Sequence, residues 1–254
     1  MINKNITKIS VALSHLLISA IIFSMIFGIL LFFWYPSPYF YASGGWAGLK
    51  IAALVDLVLG PILTFVVFNI GKCKKELLTD LSIIVMIQMT ALFWGVNTIY
   101  QQRPVASVFW GGSFLAVTAA DLKRHNYNLE HLKEFGDDSP VLIYLKDPEN
   151  KHIYYQPEEL SSKKIAISPF YRTDLYRPFK AHFNDLSKYK LDMEYWVTTD
   201  AEVNTKLMTI LDRKNSKIDD YQYYKLYSNY NSIIFIFNSH GEIIDNIIAP
   251  LDFG

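Results

Sequence analysis

Cysteine is nearly absent from this chain: Cys73 is the single one. That excludes an internal disulfide and any cysteine-built metal or redox centre. Cys73 lies among lysines between two apolar runs and reads as an isolated thiol. The spacings that announce chemistry are missing too. His125, His131, His152, His182 and His240 form no H-E-x-x-H or other paired ligand spacing. No serine sits in G-x-S-x-G, and no glycine-rich phosphate loop follows a candidate strand. These gaps leave no catalytic, cofactor-binding or metal-ligating residue to assign, so neither an enzyme nor a small-molecule substrate is expected. Net charge is absent as well, with 24 basic against 24 acidic residues and no basic stretch to track a phosphate backbone, which removes nucleic acid as a partner. No repeat period and no low-complexity linker appear.

What is present is grease, unevenly distributed. Hydrophobic residues make up 51% of the chain and aromatics 15%, high for a water-soluble protein. Charge is scarce in the first hundred residues: Lys4, Lys8, Lys50, Lys72, Lys74 and Lys75 against Asp56, Glu76 and Asp80. The chain therefore divides into a transmembrane region, residues 1–102, and a slightly acidic water-soluble domain, residues 103–254. A bilayer core of about 30 Å needs about 20 apolar residues per helix, and residues 11–34, 49–70 and 81–100 meet this. The first run exceeds a signal-peptide core and lacks an A-x-A-like cleavage site, so it reads as an uncleaved anchor.

Lysines flank the first run on its amino side and crowd the second loop, whereas the aromatic first loop has none. By the positive-inside rule the N-terminus is cytoplasmic and the C-terminal domain lies outside. In a bacterium with two membranes this is a multi-pass inner-membrane protein with a periplasmic domain.

Within the second run Asp56, Gly60 and Thr64 recur at i, i+4 and i+8 and share one helix face, and Pro61 should kink the helix near mid-membrane. In the third run Gln88, Ala91 and Gly95 form a common face. A carboxylate in hydrocarbon avoids lipid, and small residues let another helix approach. Two readings stay open: internal packing of a three-helix bundle, or a docking face for a partner's helix. His15 could meet Asp80 near the cytoplasmic surface, although a plain interfacial histidine fits as well.

The second half reads as a small α+β domain. Residues 105–110 and 113–120 flank a Gly111–Gly112 turn as a hairpin. Asp121 caps a helix burying Leu122, Leu129, Leu132 and Phe135, and residues 141–145 form a buried strand. Pro169 and Pro178 break the stretch 161–195, where a short strand is expected before a helix around residues 179–189. Thr199 with Glu202 is a capping-box pattern opening a helix that buries Val203, Leu207, Ile210 and Leu211. Residues 223–227, 233–237 and 243–248 read as strands, with a turn at 238–241. The acidic pairs Asp137–Asp138, Glu158–Glu159 and Asp219–Asp220 read as solvated. Tyr221, Tyr223, Tyr224 and Tyr227, with Tyr230, are explained either by alternation along an edge strand or by a partner-binding surface, where tyrosine is favoured.

The segments YPSPYF (35–40), GGW (44–46), VDLVLGPILTFVVF (55–68), TDLSIIVMIQMTALFWG (79–95) and RPV (103–105) carry a family likeness. Over about residues 10–122 the chain resembles the TfpX/TfpZ-type type IV pilin accessory proteins. Its D-x-x-x-G-P-x-L-T and D-L-x(6)-Q-x-x-A-L patterns are unusual inside membrane helices. The resemblance implies an inner-membrane, non-enzymatic chaperone or assembly factor that binds the major type IV pilin and promotes its stability or pilus assembly. It would hold the pilin helix against Asp56, Gly60, Pro61, Thr64, Gln88, Ala91 and Gly95, and the pilin head against the periplasmic domain. Alternatives from other classes are a membrane-anchored pilin-modifying enzyme and a periplasmic ligand sensor.

Overall fold

A computed structural model describes residues 7–69, 71–147 and 168–249. Lys4, His152, the Glu158–Glu159 pair and residues 250–254 lie outside them. The chain divides into two compact units, Met1–Phe40 with Gly44–Gln101, and Tyr41–Ser43 with Gln102–Gly254.

The first unit holds three helices long and apolar enough to cross a membrane: α1 (Lys8–Trp34), α2 (Gly45–Val67) and α3 (Lys74–Gln101). Thr7 opens α1 by accepting from the Ser10 N–H, while the Ser10 side chain caps in return. The third helix starts at Lys74 rather than 81. Hydropathy marks the stretch that fits hydrocarbon, whereas the preceding Lys-Lys-Glu-Leu-Leu favours helix while being polar.

Pro61 makes no separate break in α2. It lacks an N–H and crowds the carbonyl four residues back. The helix absorbs this in a widened π turn over Leu54–Leu59, where the Gly60 N–H reaches back to the Val55 carbonyl. A second π turn, Leu30–Trp34, ends α1.

Both α1 and α3 pack along α2. With each other they engage chiefly at one end, where the Trp34 and Tyr100 rings lie 4.9 Å apart and the Tyr35 hydroxyl donates to the Ile99 carbonyl at 2.9 Å. Leu30, Tyr35, Phe40 and Leu49 form the buried knot there. Elsewhere large apolar side chains face outward, among them Phe32, Phe33, Phe93 and Trp94.

The second unit is built on a seven-stranded mixed sheet. Its strands are β1 (Pro104–Trp110), β2 (Ser113–Thr118), β3 (Val141–Leu145), β4 (Tyr176–Pro178), β5 (Gln222–Tyr227), β6 (Ser232–Phe237) and β7 (Ile243–Ala249), in the order β4-β3-β1-β2-β5-β6-β7. The β1/β3 and β2/β5 pairs are parallel and the rest antiparallel. Gly111 (φ +62°) and Gly112 (φ +99°) turn the first hairpin in a left-handed conformation that side chains resist.

Strand alternation sends two different cores to the two faces. One face is aliphatic. Ala106, Val108, Val117 and Ile143 pack beneath Leu122 of α4 (Ala119–Arg124) and Leu132 of a following 3-10 turn. Further along, Tyr223, Ile234, Ile236 and Ile247 pack beneath Val203, Leu207, Ile210 and Leu211 of α6 (Ala201–Lys214), joined by Met193 of α5 (Met193–Thr199). The other face is aromatic. Phe114 is fully buried among Phe109, Phe179, Tyr224, Phe235 and Phe237, all with ring centroids within 6.5 Å of it.

Three expectations need correction here. Thr118, not Asp121, caps α4: its hydroxyl accepts from the Asp121 N–H, and Asp121 returns the bond as the third helical residue. That helix stops at Arg124, because Asn126 turns left-handed (φ +58°), so Leu129 to Phe135 belong to a separate turn. Asp200, not Thr199, caps α6, accepting from the Glu202 and Val203 N–H groups, while the Thr199 hydroxyl donates back to the Tyr195 carbonyl.

Candidate helix-docking site

The polar residues of the apolar helices gather in one place. On α2, Asp56 is 6% and Thr64 1% exposed, and Gly60 between them is buried. Facing them on α3 is Gln88, 9% exposed. Gly60 is what lets the two helices close: a Cβ built there would lie 2.0 Å from Gln88 Nε2. Thr64 is held from α1, with its Oγ1 2.6 Å from His15 Nδ1. So His15 does not meet Asp80. Asp80 takes the Lys72 ammonium at 2.6 Å instead.

The other residues expected here sit differently. Pro61 is partly buried, Ala91 is exposed and Gly95 is partly buried. A methyl group on Gly95 would meet nothing within 4 Å. Gly60, Thr64 and Gln88 therefore serve internal packing, whereas Ala91 and Gly95 line open space. Sequence reading missed Ser14 and Ser19, which belong to the same polar side as His15. Their signal was a hydroxyl or imidazole recurring at short intervals in an otherwise aliphatic run.

Because α1 and α3 both lean on α2, a furrow runs between them with α2 as its floor. Toward the amino-terminal half of α1 it holds a hollow of about 300 Å³ edged by Val11, His15, Ser19, Val85 and Gln88. Toward the other end lies a hollow of about 280 Å³ edged by Ile26, Leu30, Gly48, Ala91 and Gly95. Asp56 and Leu92 line both. Among the described residues the Asp56 carboxylate makes no hydrogen bond or ion pair, and His15 is the titratable group that acts on it.

In the sheet unit the tyrosine cluster is divided rather than pooled. β5 is an interior strand between β2 and β6, not an edge. Tyr223 and Tyr224 are 3% and 0% exposed and point to opposite faces, so neither offers an open surface. The Tyr224 hydroxyl donates to Gln222 Oε1 at 2.6 Å, and burial pushes its pKa up to about 12. Burial likewise raises Tyr223 well above the usual tyrosine range, its hydroxyl donating to the Ile218 carbonyl. Tyr221 and Tyr223 edge a hollow of about 530 Å³ with Lys190, Asp192 and Glu194, and Tyr227 stands exposed under the Lys225 ammonium. Two of the histidines make ring contacts here: His125 stacks on Tyr171, and His182 stacks on Tyr144 while meeting Asp185 at 3.0 Å. No three His, Cys, Asp or Glu side chains gather as a metal site among the described residues.

Fold and site together define a class: three membrane-length helices with a polar furrow, followed by a mixed-sheet domain. A fimbrial assembly protein of Dichelobacter nodosus, serogroups C1 and C2, is 35% identical over 108 residues, which is 42% of this chain and 82% of that relative. The serogroup E1 protein is 35% identical over 108 residues and the serogroup I protein 38% over 95. The match spans 42% and 37% of those two relatives, less than half their length. The chain belongs to this family of fimbrial assembly proteins. No protein-family model and no solved structure matches it.

Proposed function

We propose that this chain is a membrane-embedded accessory factor of type IV fimbrial assembly, acting by binding the major pilin rather than by catalysis. The observation that carries the reading is the 35% identity to a fimbrial assembly protein across most of that relative's length. Three features support it. The helices α1 to α3 are long enough to span a bilayer, and their outward Phe32, Phe33, Phe93 and Trp94 suit hydrocarbon better than water. Lysine placement supports an N-terminus in the cytoplasm and a sheet domain in the periplasm of a bacterial inner membrane. The furrow and the sheet domain supply two modest contacts for one client, its helix and its head. Linked contacts raise affinity through effective concentration without permanent capture, which suits a chaperone that releases its cargo.

Crosslinking in native membranes followed by purification should recover the major pilin as the dominant partner. Deleting the gene should lower pilin abundance and leave pilin mass unchanged. A changed pilin mass would favour a modifying enzyme, and absence of pilin among the crosslinked partners would refute the reading.

A further inference from the structure

We infer that the furrow between α1 and α3 receives one additional membrane-crossing helix, and that this helix presents a hydrogen-bond donor to Asp56. The inference rests on the pilin-binding reading and specifies what the furrow recognises.

Length identifies the occupant as a helix. The hollows follow α1 from Val11 to Leu30, 19 residues on, about 28 Å at 1.5 Å per residue. That equals the hydrocarbon core of about 30 Å, so the furrow suits a segment crossing the whole bilayer, whereas a lipid tail reaches only its middle. Packing agrees. Two helices lean on a third and, among the described residues of this unit, meet each other chiefly at one end, which leaves the space between them open elsewhere. Gly95, with open space where a side chain would stand, permits close backbone approach.

Chemistry identifies the donor. Asp56 lines both hollows and is more than nine-tenths buried, yet makes no hydrogen bond among the described residues. In hydrocarbon no water stands by to satisfy it, and a carboxyl group at that depth calls for a partner. A carboxyl oxygen accepts in either protonation state, so an amine, an amide or a hydroxyl on the incoming helix complements it. Thr64 and His15 already satisfy one another, and of the buried polar residues on the furrow, Ser19, Gln88 and Asp56, only Asp56 borders both hollows.

The test uses the full chain in native membranes, with a photoreactive residue at Val85 inside the furrow or at Phe93 on the outer side of α3. Position 85 should give a pilin adduct and position 93 none. Asp56→Leu should lower the position-85 adduct on the order of tenfold, and Asp56→Asn, which keeps an acceptor oxygen, less than about threefold. Gly95→Leu fills the furrow without touching Asp56 or the Gly60–Gln88 contact, so it should abolish the adduct while leaving the protein's level and thermal stability unchanged. An adduct equally strong in Asp56→Leu and wild type would overturn the inference, as would adducts made only with lipid or a second copy of this chain. If pilin still co-purifies but never crosslinks at position 85, the furrow inference falls and the pilin-binding reading stands. If no pilin is recovered at all, both fall.

Discussion

Replacing Gly60 by alanine puts a methyl carbon 2.0 Å from Gln88 Nε2 and 3.0 Å from its Cδ, closer than atoms approach. Something must move, and the candidate is the amide end of Gln88, a flexible group. Overpacking usually costs about 1–3 kcal/mol; a movable obstacle places this case at the low end. Against it stands a helix-propensity gain of up to about 1 kcal/mol for Gly→Ala. The two nearly offset, so the expected net effect lies between about zero and a loss of about 1 kcal/mol. Gly95→Ala is the internal control: its new methyl meets nothing within 4 Å, so it keeps the propensity gain alone. Truncating the obstacle in Gly60→Ala/Gln88→Ala should restore room, giving a coupling energy of about 1 kcal/mol or more. SDS titration of the purified full chain in mixed micelles would read all four proteins. Gly60→Ala as stable as Gly95→Ala, with no coupling to Gln88→Ala, would refute the close α2–α3 approach.

Thr64→Val removes the 2.6 Å bond to His15 and should destabilise the bundle by about 0.6–1.5 kcal/mol, an effect that disappears in a His15→Ala background. Asp56→Leu should behave oppositely in the same titration, raising resistance to SDS by about 1 kcal/mol or more, because an unsatisfied buried carboxyl is exchanged for a packed apolar group; lowered resistance would mean the carboxyl has an internal partner. Phe114→Ala empties the centre of the aromatic core and should cost the sheet domain about 3–5 kcal/mol, read in the full chain by hydrogen exchange of the strand amides under urea. Tyr224 gives an alkaline signature. The unfolded tyrosine releases its proton near pH 10, whereas the folded one holds it to about 12. Its contribution is complete below pH 10 and drains away between those values, so Tyr224→Phe should flatten stability against pH in that interval alone.

The three helices were legible because their signal is local: a long apolar run needs no knowledge of what surrounds it. The caps were half legible. Thr118 with Asp121 fits a capping box as well as any pair in the chain, but the helix was placed to begin at Asp121, one turn late. At 199–203 two overlapping patterns compete, and Asp200 prevails because its carboxylate accepts from two N–H groups at once. The sheet order was illegible for a different reason. β2 lies beside β5, more than a hundred residues further along, and nothing in either strand announces the partner. Tyr224 therefore passed for an edge residue while occupying the centre of a layer. His15 and Thr64 meet across 49 residues, so neither could be paired from spacing. The α2 face itself, Asp56–Gly60–Thr64, followed directly from helical periodicity.

The two units treat buried polar groups by different rules. In the sheet domain the nearly buried Arg172 is clamped by both oxygens of Asp174, and the Thr118 hydroxyl is spent on a cap. Outward-facing polar groups there can be completed by water, although the Ser216 and Ser232 hydroxyls stay buried without a partner among the described residues. The bundle has no such reserve, because hydrocarbon offers neither donor nor acceptor. Asp56 on a furrow floor is thus a standing energetic debt for the three helices alone. A group able to donate at that depth would reduce such a debt for as long as it stays. On the proposal that a client helix docks there, binding would relieve the carboxyl and release would expose it again, leaving the free protein ready for the next helix.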